Sequence, residues 1–408
     1  MAASMKVRVL ELYSGIGGMH WALKESGLSF EVVAAIDINT TANQIYRHNF
    51  PDVKLLPSSI DKLTAAQFEA WNIDAVLLSP PCQPFTRMGK KRDVEDIRTK
   101  SFMHVLHLIS VVKNKPRYIL VENVKGFETS EARQRLMGTL TQCSYHYQEF
   151  LLTPLQMGIP NCRLRYYLIA TLAQNGFSFP TSESILEDLP KEVSDWLTYK
   201  KLICDTSFQP SCDQSCDTET TPTQNGGVHD ASESTLEDAG ENLRQVADET
   251  HQEYRGCQRL KHFLEKQSCE YFQDFLLDDK ELTRFVIMDI VQPSLNKSAC
   301  FTRRYGHFVE GAGSIVQMTS NVKAVEAVSK LKSRVVDLPE RPLLGEEELD
   351  LLRGLQLRYF TPREIANLLC FPQQFELPSE LSRIQKYRSL GNSLNVHVVS
   401  LLIRLMML

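Results

Sequence analysis

Short apolar runs alternate with helical segments through residues 6–170, and this alternation limits the possible folds more than any other feature. Strands are predicted at KVRVLEL, EVVAAID, DAVLLS, RYILVEN and RLRYYLIATL, with helices at GGMHWALKESG and SFMHVLHLISVV. Since a helix between two strands carries the chain across the sheet, this order predicts a mostly parallel sheet with helices on both faces. We therefore expect an α/β protein whose ligands bind at the carboxyl ends of the strands.

The acidic residues are concentrated in one segment. Residues 204–254 contain twelve Asp and Glu against one basic residue, Arg244, a net charge of −11, whereas the whole chain carries −5 and the remainder therefore +6. The segment is rich in Ser, Thr and Gln and poor in aromatic residues, so we expect it to be disordered. A mildly basic remainder is compatible with a polyanionic partner.

Neither membrane insertion nor secretion is indicated by the sequence. No run of 18 or more apolar residues occurs, and the start MAASMKVRVLELYSG lacks the apolar stretch of a signal peptide. We expect a protein of the cytoplasm, with the nucleus as a second location, whose ten cysteines are reduced. No two of them are spaced C-x-x-C, so no metal site is predicted.

A glycine-rich turn follows the first predicted strand in VLELYSGIGGMHWAL. Gly15, Gly17 and Gly18 can bring backbone amides close to a nucleotide-like ligand, but their spacing is not the G-x-G-x-x-G of dinucleotide sites. Asp37 ends the second predicted strand, where an acidic side chain commonly accepts ribose hydroxyls. Together they predict a cofactor with an adenosine and no pyrophosphate, for which S-adenosylmethionine is the leading candidate. The alternative is a tight turn with an incidental aspartate.

A rigid cysteine loop, SPPCQPF, follows the predicted strand DAVLLS. Pro80, Pro81 and Pro84 restrict the backbone around Cys82, so the thiol is held in few conformations. A nucleophile held in this way has already lost the freedom that a reaction would remove. Because the loop lies at the ligand side of the sheet, we interpret Cys82 as reactive and not as a small core residue.

Two further predicted strands bring polar groups to the same edge. RYILVEN ends in Glu122 and Asn123, and NCRLRYYL places Arg163 and Arg165 on one face because strand side chains repeat every two residues. A thiol, a carboxyl and two guanidinium groups fit chemistry on a polar heterocycle. Taken singly, each residue also has a structural explanation, such as a helix cap or a charged edge strand.

These motifs resemble those of the cytosine-5 methyltransferases over nearly the whole chain. ELYSGIGG resembles the family's cofactor loop, SPPCQPF its nucleophile loop, ENVKGF its acid motif, NCRLRYYLIA its arginine strand and LGNSLNVHVV its closing motif. ACFTRRYG, which contains Cys300, Phe301 and Thr302, and TPREIANLLCFP are similar to the branch that methylates the aspartate tRNA. Asn161 departs from the family pattern, which has glutamine at the head of the arginine strand.

The resemblance implies a Rossmann-like, S-adenosylmethionine-dependent methyltransferase sheet with helices on both faces and a smaller, mixed target-recognition lobe. Residues 1–175 would form the catalytic, cofactor-binding domain. Residues 176–345 would form the target-recognition region, with the disordered acidic insert at 204–254. Residues 346–408 would complete the catalytic domain.

The resemblance also implies the roles of the site residues. Cys82 would attack C6 of cytosine, Glu122 would bind the N3 and amino edge, and Arg163 and Arg165 would hold the base and a nearby phosphate. The target base must leave its stack first. The cofactor would be bound by Ile16, Gly17, Gly18, Asp37, Ile60, Asp61, Ser79 and Ser393.

The implied partner is tRNA, through the anticodon stem-loop of the aspartate tRNA, with DNA as a weaker second partner. The basic residues that could contact it are Lys90, Lys91, Arg92, Arg98, Lys100, Arg303 and Arg304. Two alternatives stay open. One is a DNA cytosine-5 methyltransferase with the same chemistry, and the other is an inactive nucleic-acid-binding protein, which the presence of all four predicted catalytic residues disfavours.

Overall fold

The computed structural model describes residues 6–81, 97–191, 256–319, 322–335 and 344–407. The described residues of Met1–Val193 and Cys257–Leu408 form one compact unit. Cys82, the basic residues at 90–92 and the acidic segment 204–254 lie outside the described residues. The predicted domain boundaries at 175 and 345 stay predictions.

Apolar, β-branched runs form the strands of two sheets. The strands are β1 (Val7–Leu12), β2 (Phe30–Ile36), β3 (Leu55–Leu56), β4 (Ala75–Leu78), β5 (Tyr118–Val124), β6 (His146–Leu152), β7 (Arg165–Thr171), β8 (Ile290–Val291), β9 (Ile315–Gln317) and β10 (Leu357–Tyr359).

In the larger sheet the described strands lie in the order β3-β2-β1-β4-β5-β7-β6. Strands β1 to β5 pair in parallel, whereas β7 is antiparallel to both β5 and β6. The predicted, mostly parallel α/β sheet is therefore confirmed. The chain direction across the sheet reverses between β1 and β4, and ligands bind at such switch points. In the smaller sheet β9 lies between β8 and β10.

Helices follow most of the strands in the first part of the chain. The α-helices are α1 (Gly18–Ser26), α2 (Thr40–Asn49), α3 (Ala65–Ala70), α4 (Ile97–Val111), α5 (Glu131–Gln142), α6 (Cys269–Gln273), α7 (Asp279–Leu282), α8 (Val322–Val335), α9 (Glu346–Arg353), α10 (Pro362–Leu368), α11 (Arg383–Gly391) and α12 (Val396–Met407). Short 3-10 helices are formed by Ile60–Lys62, Phe127–Thr129, Pro154–Met157, Leu260–His262 and Phe285–Ile287.

Helices cover both faces of the larger sheet, because its strands are apolar on both sides. Leu10 and Leu12 of β1 join an apolar core with Phe102 of α4, and α4 packs on α5. On the other face, α12 packs along α1 and contacts β5 and β7. The apolar C-terminal helix therefore packs on the helix that follows the first strand and on the larger sheet.

The segment Arg383–Met407 meets the length and composition of a membrane span. However, 72% of an apolar 18-residue stretch within this segment is buried in the structure. The segment is also divided, since α11 ends at Gly391 and α12 begins at Val396. These are the properties of helices in a protein core.

We call the part of this unit that contains the smaller sheet and helix α10 the second lobe. Thr361 accepts a hydrogen bond from the backbone N–H of Glu364, and Pro362 occupies the first position of α10, which are the features of a capped helix start. The Glu364 carboxylate also pairs with both terminal nitrogens of Arg358 at 2.8 Å, and both side chains are fully buried. This pair links β10 to α10 inside the lobe.

Several details of the strands differ from the prediction, and the two-residue strand β3 is one that was not predicted. The strand β6 was not predicted, because His146, Gln148 and Glu149 interrupt its apolar pattern, although the structure buries Gln148 and Glu149 in hydrogen bonds. The arginine strand was predicted to begin before Arg163, but β7 begins at Arg165. Arg163 lies in the preceding segment, whose residues bond to the second lobe and to the C-terminal segment instead of to a neighbouring strand.

Candidate active site

Three strands of the larger sheet end or begin at one edge. Strand β4 ends at Leu78, immediately before the loop that carries Cys82, and β5 ends at Val124. Since β7 is antiparallel, its first residue, Arg165, lies opposite Val124 at that same edge. The sheet topology therefore brings Glu122 and Arg165 together, and it starts the cysteine loop beside them.

The carboxyl of Glu122 lies beside the guanidinium of Arg165, with 3.7 Å between Oε1 and Nε. Both side chains are largely buried, with 12% of Glu122 and 15% of Arg165 exposed. Burial raises the pKa of Glu122, while the nearby Arg165 and Arg163 oppose this shift. The carboxyl therefore stays protonated to a higher pH than an exposed glutamate, and a protonated carboxyl can donate a hydrogen bond.

Arg163 is buried and connects three parts of the chain. Its Nη1 donates to the Phe301 carbonyl at 3.2 Å, and its Nη2 donates to the Ser393 carbonyl. Its Nε has no hydrogen-bond partner among the described residues. The predicted role in holding a base or phosphate stays a prediction, because the structure gives this guanidinium a structural function as well.

The Cys300 thiol lies between the two arginines. Its Sγ is 3.5 Å from Nη1 of Arg163 and 3.6 Å from Nη2 of Arg165. Burial raises the pKa of this thiol, but the two guanidinium groups outweigh burial and leave the pKa below its usual value. Among the described residues, the thiol that both arginines contact is therefore Cys300.

The sequence pointed to Cys300 only through the motif ACFTRRYG, without a chemical role. Asn161 shows how this motif reaches the site. Its Nδ2 donates to Ser298 Oγ at 3.2 Å and to the Ala299 carbonyl at 3.0 Å. The asparagine at the head of the arginine strand therefore holds the second-lobe segment against β7.

The cofactor end of the site is formed by the turn after β1. Gly15 and Gly17 have φ of 54° and 86°, values that favour glycine. The Gly15 N–H donates to Asp37 Oδ2 at 2.8 Å, and the Asn39 N–H donates to Oδ1 at 2.8 Å. Burial raises the pKa of Asp37, against these backbone hydrogen bonds, which lower it. Asp37 thus positions the turn, and the remaining lone pairs of its carboxylate can accept ribose hydroxyls.

The residues around this turn fit an adenosine-bearing ligand. Ser14 Oγ is buried and has no hydrogen-bond partner among the described residues. A Cβ added at Gly17 would lie 2.6 Å from the Phe50 ring, so the backbone approaches closely here. Gly17 and Gly18 lie in this turn with the buried Ile16, and their role in binding S-adenosylmethionine stays a prediction.

The other predicted cofactor residues are distributed around this end of the sheet. Ser79 donates from Oγ to the Tyr13 carbonyl at 3.2 Å, which ties the end of β4 to the turn after β1. Ile60 is buried at the start of a 3-10 helix, and Asp61 is exposed and accepts from Ser59 Oγ. The structure therefore brings Ser79 to the turn, while the contacts of Ile60 and Asp61 do not test their role.

Ser393 joins the cofactor end to the base end. A Cβ added at Gly18 would lie 3.2 Å from Ser393 Oγ, and the Ser393 carbonyl accepts from Arg163. The start of the Cys82 loop also lies in this region. Asn123 of β5 donates from Nδ2 to the Pro80 carbonyl at 3.4 Å. The arrangement can bind an adenosine at one end and a polar ring at the other.

Comparisons with known proteins agree with this arrangement. The family model described as C-5 cytosine-specific DNA methylase matches residues 7–407. A tRNA (cytosine(38)-C(5))-methyltransferase of Homo sapiens is 42% identical over 412 residues, which cover 98% of this chain and 99% of the relative. A DNA (cytosine-5)-methyltransferase of Dictyostelium discoideum is 34% identical, with 98% of this chain and 94% of the relative covered.

A solved structure shares the fold. The crystal structure of a Spodoptera frugiperda DNMT2 triple mutant is 36% identical and has a TM-score of 0.73, with 99% of this chain and 100% of that chain covered. The family match and the identities extend over nearly the whole length of the chain. The protein therefore belongs to the C-5 cytosine-specific DNA methylase family and is an S-adenosylmethionine-dependent cytosine-5 methyltransferase.

Proposed function

We propose that this protein methylates C5 of a cytosine in the anticodon loop of the aspartate tRNA, through a covalent bond between Cys82 and C6. The observation that carries the chemistry is the buried Glu122 beside Arg165, at the edge where the Cys82 loop begins. The substrate is supported by the full-length likeness to proteins named tRNA methyltransferases. We place the enzyme in the cytoplasm, with the nucleus as a second location.

An RNA loop also fits the energetics of the reaction. A cytosine inside a duplex must be unpaired and unstacked before its ring can enter the site. A loop base is already partly unstacked, so less free energy is needed to bring it to Glu122. This favours an anticodon loop over duplex DNA.

The mechanism begins with the pyrimidine ring held by Glu122. The protonated carboxyl donates to N3, and this draws electron density away from C6. The Cys82 thiolate then attacks C6: the S–C6 bond forms, the C5–C6 double bond becomes a single bond, and its electrons form a C4–C5 double bond that makes C5 nucleophilic, while the charge that builds on N3 is stabilised by the hydrogen bond from Glu122.

The methyl group is supplied by S-adenosylmethionine when it is bound at the turn after β1. C5 then loses its proton to a base, the S–C6 bond breaks, and the thiolate of Cys82 leaves with the bonding electrons. Arg165 stays paired with Glu122 through these steps and fixes the carboxyl orientation.

The covalent step is tested with an anticodon stem-loop of the aspartate tRNA that carries 5-fluorocytidine at the target position. Fluorine at C5 cannot leave as a proton, so the enzyme with S-adenosylmethionine should form an adduct that survives denaturing electrophoresis. Cys82→Ala should abolish both this adduct and methylation of the unmodified stem-loop. Cys300→Ala is the matched control. It removes a thiol that contacts two arginines of the site but leaves Cys82 in place, so it should retain the adduct.

Duplex DNA of the same sequence is the second arm of this experiment. Transfer of labelled methyl to duplex DNA and not to RNA would contradict the RNA substrate and support a DNA methyltransferase instead. The name of the Dictyostelium relative favours that alternative. An adduct that persists in Cys82→Ala would contradict the assignment of the nucleophile. Transfer to neither nucleic acid would contradict the proposed activity.

A further inference from the structure

The turn after Cys300 presents an exposed aromatic ring together with basic side chains. In 301–310, Phe301, Tyr305 and Val309 are buried, with 1–3% exposed. Most of the residues between them are exposed, and 48% of Phe308 is exposed. The exposed residues of this turn are Arg303, Arg304, His307, Phe308 and Glu310.

Arg304 lies over the Phe308 ring, with 5.4 Å between its guanidinium carbon and the ring centroid. The backbone N–H of Phe308 donates to the Arg304 carbonyl at 3.2 Å, so the turn itself places these two side chains next to each other. Both side chains are exposed, so the pair is accessible to a ligand from the solvent.

The turn is anchored firmly beneath this surface. Tyr305 Oη donates to the Ser314 carbonyl at 2.7 Å and accepts from the Phe360 N–H at 2.8 Å. Gly313 has a φ of 151°, and a Cβ there would lie 2.7 Å from the rings of Phe301 and Tyr305. The exposed pair therefore lies on a well-packed turn, so the protein loses little conformational entropy when a ligand binds there.

The same turn is part of the wall of the active site. Cys300, which precedes it, contacts Arg163 and Arg165. A Cβ added at Gly391 would lie 2.2 Å from the Thr302 backbone carbon, so the C-terminal segment is pressed against the turn on its other side. Arg304 and Phe308 thus follow closely in the chain after the residues that adjoin Glu122.

We propose that Arg304 and Phe308 form a stacking platform for an unpaired base next to the target cytosine in an RNA loop. This inference rests on the proposed function and adds to it the residues that recognise an open loop. Aromatic rings and arginine planes stack on unpaired bases, and the arginine charge also attracts the backbone phosphate. A base in a duplex has both faces covered by its neighbours and cannot stack in this way.

The charges of the turn favour RNA over an apolar protein partner. Two arginines stand against one acidic residue, Glu310, so the exposed surface is basic. The exposed ring is a single side chain, whereas a protein interface needs a continuous apolar patch. A partner that binds through phosphates and bases satisfies both the charges and the ring.

The platform is tested with a stem-loop that carries 2-aminopurine beside the target cytosine. Its fluorescence should fall when the wild-type enzyme binds, since stacking quenches this base. Phe308→Ala should remove the quenching and raise the Kd for the stem-loop about tenfold, the order expected for one stacked base. Phe308→Trp should retain both properties, and Phe308→Leu, which keeps an apolar side chain without a ring, should behave like Phe308→Ala.

Leu351→Ala is the matched control, because Leu351 is also an exposed apolar side chain, 38% exposed, but lies on the acidic helix α9. It should leave Kd and quenching unchanged, and thermal unfolding of every variant should match the wild type. Equal quenching in the wild type and Phe308→Ala would overturn the platform, as would a loss of affinity that is the same for stem-loop and duplex RNA. If the wild type transfers no methyl group to RNA, the proposed function fails, whereas methylation that is insensitive to Phe308 removes only the platform.

Discussion

Single buried carboxyl groups show how strongly the sheet controls protonation. Glu11 in β1 is fully buried, and burial raises its pKa to about 8, although a hydrogen bond from Tyr46 lowers it. The adjacent His20 has its pKa lowered to about 3 by burial, with a smaller effect of Lys24. The 3.5 Å contact between His20 Nδ1 and Glu11 Oε1 is therefore between neutral groups near pH 7, and it is not an ion pair.

Glu122→Gln should lower kcat by about a hundredfold or more, since an amide cannot transfer a proton to the ring. The pKa of Glu122 is raised by burial, so its protonated form is lost as the pH rises through that raised value. The wild type should thus show a decline of kcat/KM on the alkaline side, and the variant should lack it. A pH profile of kcat/KM measures this, with Glu347→Gln at an exposed position as control. An alkaline decline that is unchanged in Glu122→Gln would contradict the acid role.

Glu11→Gln should change how stability depends on pH. Between the unfolded pKa near 4.5 and the folded pKa of about 8, the folded state keeps a proton that the unfolded state has lost. The free energy of unfolding of the wild type therefore falls as pH rises through this window, by up to about 1.4 kcal/mol per pH unit from this group.

Urea unfolding at several pH values between 5 and 8 measures this effect. Glu11→Gln should show a shallower decline than the wild type, because glutamine does not titrate. Glu31→Gln, at an exposed position in β2, should follow the wild type. Equal slopes in all three proteins would show that Glu11 does not hold its proton.

At the scale of elements, local sequence signals and tertiary partners act together. The capping box at Thr361 was predictable because Thr, Pro and Glu stand at fixed positions of the first turn of α10. The second role of Glu364 was not, since its partner Arg358 belongs to a strand whose position depends on the whole lobe. The guanidinium of Arg358 also lies 4.1 Å from the centroid of the Phe272 ring.

Glu364→Gln should lower the free energy of unfolding by about 3 kcal/mol or more, because it leaves the buried Arg358 charge without its counter-charge. Thr64→Ala removes an exposed cap of α3 and should lower it by only about 1 kcal/mol. Urea denaturation of the two variants compares these values. A smaller loss for Glu364→Gln than for Thr64→Ala would show that the buried pair contributes little.

At the scale of the whole molecule, the two ends of the chain form one site. The first helix packs on the last, and Glu25 Oε1 lies 2.6 Å from His397 Nδ1. Gly18, at the start of α1, leaves the space that Leu394 fills. The cofactor turn therefore depends on residues that are hundreds of positions away in the chain.

Gly18→Ala should raise KM for S-adenosylmethionine about tenfold while the fold is retained. A Cβ at this position would lie 3.0 Å from Leu394 Cδ1 and Cγ, so the C-terminal segment must move by a few tenths of an ångström. Such small displacements in a site reduce the binding of a positioned ligand. Gly138→Ala, with no atom within 4 Å of the added Cβ, should leave KM unchanged. Initial-rate kinetics at saturating RNA measure KM for S-adenosylmethionine in both variants. An equal KM would contradict the dependence of the cofactor turn on the C-terminal segment.

Local patterns in the sequence were sufficient to predict the alternating strands and helices, the glycine turn, the capped helix and the edge at which Glu122 and Arg165 meet. These features depend on residue periodicity and on neighbouring backbone geometry, both of which are visible in a linear sequence. Tertiary packing decided what no local pattern contains. It placed Cys300 between two arginines and set the start of β7 at Arg165, because these contacts depend on how segments far apart in the chain exclude water from each other.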